Sequence, residues 1–270
     1  MLTVVIIAFN QRVDGWYFYI IGHAGVAALL LGLIHLVESR TSKVLHFVRD
    51  IYPFILFTLM FKEVSLIINI FFPFWLESHL INWDVALFGD HPTVLVQRIF
   101  HPWLTEFMAF SYWSYYLLIP GGGLVLYLRK NREMFHSLVF SLSFTMYLCY
   151  LSYLSLTARG PQQTLSFLLA ERQAVGLFDS MVMNIQATAS IIGAAFPSSH
   201  VAAVWVILIF MFRTRRWLGW TLLPLVLSLT VSTVYLQYHY AVDAIAGALL
   251  VGLTYPLSRW IEKKAGGPVA

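Results

Sequence analysis

Seven apolar runs, each about as long as a bilayer's hydrocarbon core is thick, govern what this chain can fold into. A membrane-crossing helix takes roughly 20 apolar residues. Runs of that kind fall at 16–37, 51–74, 104–128, 136–156, 198–212, 217–237 and 240–260. Inside a bilayer every backbone polar group must find its partner within the protein, and long runs without period-2 alternation select helices. The expected fold is all-α, a polytopic membrane helical bundle of about six core transmembrane helices plus one extra N-terminal helix. The fifth run reaches full length only by starting inside the Phe196–His200 turn. Only 11% of the 270 residues are charged, against roughly a quarter in soluble domains. That is too little charge for a surface bathed in water on all sides.

The net charge of +4 would hint at nucleic acid in a soluble protein. Here the basic residues lie in short clusters between apolar runs, which points to membrane topology and away from nucleic acid. Arg40, Lys43 and Arg49 follow the first run; Arg129, Lys130 and Arg132 follow the third; Arg213, Arg215 and Arg216 follow the fifth; Arg259, Lys263 and Lys264 follow the last. Seven crossings put all four clusters on one side, and the positive-inside rule makes that side cytoplasmic. The N-terminus, 75–103, 157–197 and the 237–240 turn then face outward. Short loops and compactness fit a bacterial inner membrane. The opening "MLTVVIIAFNQRVDGW" lacks the basic start of a signal peptide. The single cysteine, Cys149, excludes an intrachain disulfide. The chain divides into residues 1–103, holding N-terminal transmembrane helices and an outer segment, and 104–270, a catalytic helical core. The 75–103 stretch, amphipathic and rich in Trp and His, reads as a helix lying along the outer interface; capping a site is its other use.

Three outward stretches collect the reactive polar residues: "LTARGPQQ" with Arg159, "FPSSH" ending at His200, and "STVYLQYHYAVD" with His239 and Asp243. Pro197, Ser198 and Ser199 form a helix start, and a helix N-terminus with free amides is a natural phosphate site. His200 stands in that first turn, placed to give a proton to a leaving oxygen. His239 and Asp243 are four residues apart and share a helix face. A carboxylate on one ring nitrogen leaves the other nitrogen's lone pair free to attack. Arg159 offers a planar fork for phosphate oxygens. The chemistry indicated is phosphoryl transfer at the outer leaflet. A His–Asp metal site is the weaker reading, since no Cys or further carboxylate stands nearby.

Arg-Gly-Pro, Pro-Ser-Ser-His and Ser-x6-His-x3-Asp, in that order, resemble the three motifs of the type 2 phosphatidic acid phosphatase superfamily. Within it, "FPSSH" and "STVYLQYHYAVD" look most like the branch related to fungal inositol phosphorylceramide synthase. The resemblance implies a phosphohistidine on His239, oriented by Asp243, with His200 as proton donor. Arg159, Ser198 and the amides near Ser199 would hold the phosphoryl oxygens, and no metal or other cofactor is needed. The partner implied is a phospholipid or prenyl-phosphate substrate; oligomeric state is open. Ser152 stands where the family's first motif has Lys, and Thr233 where its third has Arg. Gln237 and Arg172 are the candidates to compensate. The implied activity is a lipid-phosphate phosphatase, with lipid phosphotransfer on the same site as the alternative. A transporter or a binding-only relative are the remaining readings. Lys62 and Glu63 interrupt the second run; each reads as half of an ion pair, with headgroup recognition as the other use.

Overall fold

The computed structural model describes residues 1–39 and 42–266; Arg40 of the first basic cluster lies outside the described residues. Thirteen helices follow in order: α1 (Leu2–Ala8), α2 (Trp16–Ser39), α3 (Lys43–Val64), α4 (Glu77–Phe88), α5 (Pro92–Leu95), α6 (Pro102–Trp113), α7 (Tyr115–Leu128), α8 (Arg132–Ser155), α9 (Pro161–Thr164), α10 (Leu177–Ala189), α11 (Ser199–Thr214), α12 (Arg216–Tyr235) and α13 (Ala241–Lys264). No strand occurs among the described residues, so the fold is an all-α helical bundle. Five helices, α2, α3, α8, α12 and α13, are long and apolar enough to cross a membrane; α7 and α11 are shorter apolar helices. The chain is an integral membrane protein. α6 and α7 meet at Ser114, whose N–H still reaches the Phe110 carbonyl at 2.9 Å, and together they cover the third predicted run.

The second run is shifted from its predicted place. α3 begins at Lys43 and stops at Val64, with a 3-10 turn to Ile67. Hydropathy started that helix after Arg49 and Asp50, but their charges are neutralised inside the helical frame. Asp50 is buried and pairs with both Arg49 and Arg132. At the other end the chain turns through Asn69, with φ +62°. Lys62 and Glu63 thus lie in the last turn of α3.

α11 is the hub, packing against α7, α8, α12 and α13. Small residues set how close it sits. A methyl group on Gly247 of α13 would collide with the Ser198 carbonyl at the start of α11, and one on Gly122 of α7 would lie 2.9 Å from Ile207. The buried face of α13 runs through Ala244, Gly247 and Val251. Between α8 and α13, Ser141–Ser258 and Thr145–Thr254 hydroxyl pairs at 2.8 Å bridge the apolar interior. Such bridges contribute about 0.6 kcal/mol each. By contrast α2 is almost wholly exposed along its length, as a lipid-facing helix is.

The 75–103 and 157–197 segments carry structure that periodicity alone did not reveal. In α4 the buried face is Glu77, Leu80 and Asp84, while Trp83, Leu87 and Phe88 are exposed. Polar groups inward and apolar groups outward suit a helix at a lipid interface that also docks on the bundle. The 157–197 segment holds α10, which packs on α6. Its first-turn amides, Phe178 N and Asp179 N, donate to the Glu106 carboxylate at 2.8 and 3.0 Å.

Candidate active site

Backbone hydrogen bonds tie the three polar stretches together. Ala195 N donates to Ala158 O at 3.2 Å, and Ala158 N to Gly193 O at 3.3 Å, joining the first stretch to the second. Ser198 N donates to Asp243 O at 3.0 Å, joining the second to the third. The Ser198 hydroxyl caps α11 by accepting from Val201 N. The placement of the reactive side chains is therefore set by the main chain.

His239 arrives on the tight turn between α12 and α13. Tyr238 N and His239 N both donate to Thr233 O at 3.0 Å, closing the end of α12, and Gln237 adopts φ +66°. His239 Nδ1 lies 3.0 Å from Ala195 O and 3.4 Å from Asp243 Oδ2. The nearer acceptor for an Nδ1 proton is thus a carbonyl of the second stretch, with the carboxylate behind it. Asp243 Oδ2 also accepts from Tyr240 N at 3.0 Å, while Oδ1 is buried without a hydrogen-bond partner. A proton on Nδ1 leaves Nε2 with its lone pair.

The turn is held from α4. Asp84 accepts from Ala241 N at 3.1 Å and Val242 N at 2.9 Å, the first amides of α13. Burial leaves its pKa above the usual carboxylate value, and the two amides offset part of that rise. Asp84→Ala is expected to leave two orphaned amides beside the site, at a cost of about 2–3 kcal/mol. Thermal unfolding in detergent checks this: the midpoint should fall clearly, and Asp84→Asn should recover part of the loss.

His200 occupies the first turn of α11. Its Nε2 is 3.2 Å from the Tyr112 hydroxyl, and its ring rests on Tyr115 and Tyr112 at centroid distances of 4.4 and 5.1 Å. The Tyr112 hydroxyl accepts from Gln186 Nε2 at 2.6 Å. The His200 and His239 rings stand 6.0 Å apart. Both line one cavity of about 390 Å³, together with Ser199, Gly160, Gln162, Gln163 and Lys62. The walls below are aromatic and aliphatic, from α3, α7 and α8.

Other residues singled out by sequence are engaged elsewhere. Arg159 does not line the cavity: its Nε donates to Glu77 Oε1 at 2.7 Å, and its guanidinium sits 4.9 Å over the Trp75 ring. Arg172 pairs with the buried Asp179 and lies over Phe100, also away from the cavity. Gln237 Nε2 donates to Thr93 O at 3.3 Å, because the left-handed turn points it to α5 instead of along the face of α12. Glu63 pairs with His23 of α2 at 2.8 Å. Ser152, at the family's Lys position, turns its hydroxyl back to Leu148 O. Among the described residues no three His, Cys, Asp or Glu side chains cluster as a metal site would need.

A sequence profile of the PAP2 superfamily matches residues 78–257. The chain belongs to the PAP2 superfamily. No curated protein and no solved structure matches it. Members of the PAP2 superfamily are phosphoesterases or phosphotransferases, so membership supports an enzyme acting on phosphate esters, with phosphatase-type activity as the general class. The PAP2 match covers every residue of the His200–His239 pair and its supports on α4 and α6, while α1, α2 and α3 precede it. Tyr112, Tyr115 and Gln186 were missed in the sequence. An aromatic inside an apolar run carries no mark that separates a site residue from a packing one.

Proposed function

We propose that this chain is an integral membrane lipid-phosphate phosphatase working through a phosphohistidine at the extracytoplasmic face. The observation that carries this reading is the pair of imidazoles 6.0 Å apart at one cavity, in a chain of the PAP2 superfamily. His239 Nε2 attacks phosphorus and the P–O bond to the lipid alcohol breaks. His200 gives its proton to the departing oxygen, then takes one from the water that attacks the phosphohistidine. Inorganic phosphate leaves and both rings return to their starting protonation. Asp243, with one oxygen unpaired beside the ring, stabilises the positive charge that His239 acquires. The Ser199 side chain and the His200 amide face the phosphoryl oxygens; the neighbouring amides Ser198 N, Ser199 N and Val201 N already donate to Asp243 O, the Tyr153 hydroxyl and the Ser198 hydroxyl. The outward orientation is supported by Arg129, Lys130, Arg213, Arg215 and Arg216, which lie at the helix ends opposite His200 and His239.

Transfer of the phosphoryl or headgroup to an alcohol uses the same first step, and the inositol phosphorylceramide synthase-like branch is that alternative. It is favoured by the replacement of two family basic residues by Ser152 and Thr233. A transporter would draw on the intramembrane charges Lys62 and Glu63; the pairing of Glu63 with His23 counts against it. Purified protein in detergent should release phosphate from lipid phosphates, or form a new lipid product when an alcohol acceptor is added. Orthovanadate should inhibit it. A panel that yields neither product overturns the reading.

Tyr112→Phe removes the hydroxyl that holds His200 and frees Gln186. A lost hydrogen bond of this kind corresponds to about tenfold in kcat, with KM little changed. Steady-state kinetics on the best panel substrate measure it.

A further inference from the structure

The PAP2 match begins at residue 78, yet one wall of the cavity lies before it. α3 contributes Phe54, Phe57, Thr58, Phe61 and Lys62. These positions recur at steps of three and four, which places them in one stripe along the helix. At 1.5 Å per residue the stripe is about 12 Å long. Facing it are Tyr115 and Ile119 of α7 and Met146 and Tyr150 of α8. Lys62 stands at one end of this stripe and the rings run away from it. The cavity thus grades from a polar mouth to an apolar floor.

Lys62 is the one Lys or Arg among the described residues that line the cavity. Its Nζ donates to Thr188 O at 3.3 Å and Ala189 O at 3.2 Å, the C-terminal carbonyls of α10. An ammonium has three donors, so one remains for a ligand. Ala189 lies three residues, about one helical turn, beyond Gln186, whose side chain holds Tyr112 against His200. α10 therefore sets the ammonium on the same side of the cavity as the imidazole pair. The two arginines of the 157–197 segment, Arg159 and Arg172, are taken by Glu77 and Asp179. A phosphate brought to these histidines finds its side-chain cation on α3.

We propose that α3 is the substrate-reading wall: Lys62 binds the anionic phosphate group, and the attached hydrocarbon chain lies along the stripe from Phe61 to Phe54. This rests on the reading of the cavity as a phosphate-ester site. The role is one of recognition, so it should appear in KM and in chain-length preference and leave kcat alone.

The test uses the purified full chain in detergent with two probes, dodecyl phosphate and ethyl phosphate. Two readouts are taken, phosphate release and ligand-induced thermal stabilisation. Lys62→Gln should raise KM for both esters by about tenfold, with Lys62→Arg restoring most of it. Thr58 is exposed and occupies the gap between Phe54 and Phe61, so Thr58→Trp fills the channel without disturbing buried packing. It should raise KM for dodecyl phosphate by about tenfold and leave ethyl phosphate unchanged. Stabilisation by dodecyl phosphate should be lost in both Lys62→Gln and Thr58→Trp. Turnover that ignores both substitutions, or a Thr58→Trp effect equal for the two esters, overturns the role of α3 and keeps the phosphatase. Stabilisation with these sensitivities but no turnover keeps α3 and overturns the phosphatase. Neither stabilisation nor turnover overturns both.

Discussion

His239→Ala should reduce lipid-phosphate turnover by a factor on the order of 10⁵ or more, as removal of a covalent nucleophile does elsewhere. No other side chain in the cavity stands ready to replace it. His200 is tied to Tyr112, and the Ser199 side chain bonds the Tyr153 hydroxyl, which is not a base. Loss of the fold is a weak competing account. The turn is held by Thr233 O, by Asp84 and by the Ser198–Asp243 backbone bond, none of which uses the imidazole. The imidazole's own bond to Ala195 O is a single neutral one, with a net contribution of about 1 kcal/mol. His239→Gln offers a control that retains an N–H donor near that carbonyl while removing the nucleophile. Phosphate release and trapping of acid-labile phosphoprotein are the measurements. Either variant retaining a tenth of wild-type turnover would remove His239 from the chemistry.

The membrane frame was legible because it is written in composition: a run of about 20 apolar residues has few other uses. The first, third, fourth, sixth and seventh runs lie on α2, α6 with α7, α8, α12 and α13. What misplaced α3 was a charge, Asp50, whose partner Arg132 comes from the start of α8. Hydropathy is a local sum and is blind to such remote neutralisation. The same limit governs the site. His200, His239 and Asp243 were readable because helix starts and i,i+4 spacings are local facts. Arg159, Arg172 and Gln237 answer to Glu77, Asp179 and Thr93, and two of those partners lie far away in sequence. An arginine in a loop looks available until its carboxylate is seen. The 75–103 segment was legible as amphipathic, and Trp83, Leu87 and Phe88 are its exposed apolar side. Its second job, capping α13 through Asp84, depends on two amides more than 150 residues further on.

These long-range ties explain why the site needs so few charged groups. The nearest partner of each reactive ring is neutral, a carbonyl for His239, with the Asp243 carboxylate behind it at 3.4 Å, and a tyrosine hydroxyl for His200. Among the described residues, the carboxylates of Glu106, Asp84 and Asp179 hold helix starts or a salt bridge. In an apolar surrounding, neutral hydrogen bonds avoid the desolvation cost that ionised supports would carry. Among the described residues lining the cavity, Lys62 is then the one Lys or Arg side chain to meet the charge of the substrate.

His200→Ala is expected to cost about 10²–10⁴ in kcat on an alkyl phosphate, the usual worth of a positioned acid or base. The proton it gives matters in proportion to how poor the leaving oxygen is. An aryl phosphate with a good leaving group should therefore form phosphohistidine nearly normally in the variant. The second half-reaction gains nothing from that substitution, because the attacking water still needs a base. His239 should then stay phosphorylated, and the aryl alcohol should appear as a burst of about one per chain before turnover stalls. Tyr112 and Tyr115 pack on the missing ring, so His200→Gln serves as the variant that fills its space. The burst separates an acid–base role from a purely structural one. A collapsed pocket would slow both steps and give no burst, and such a result in both variants would take His200 out of the proton path.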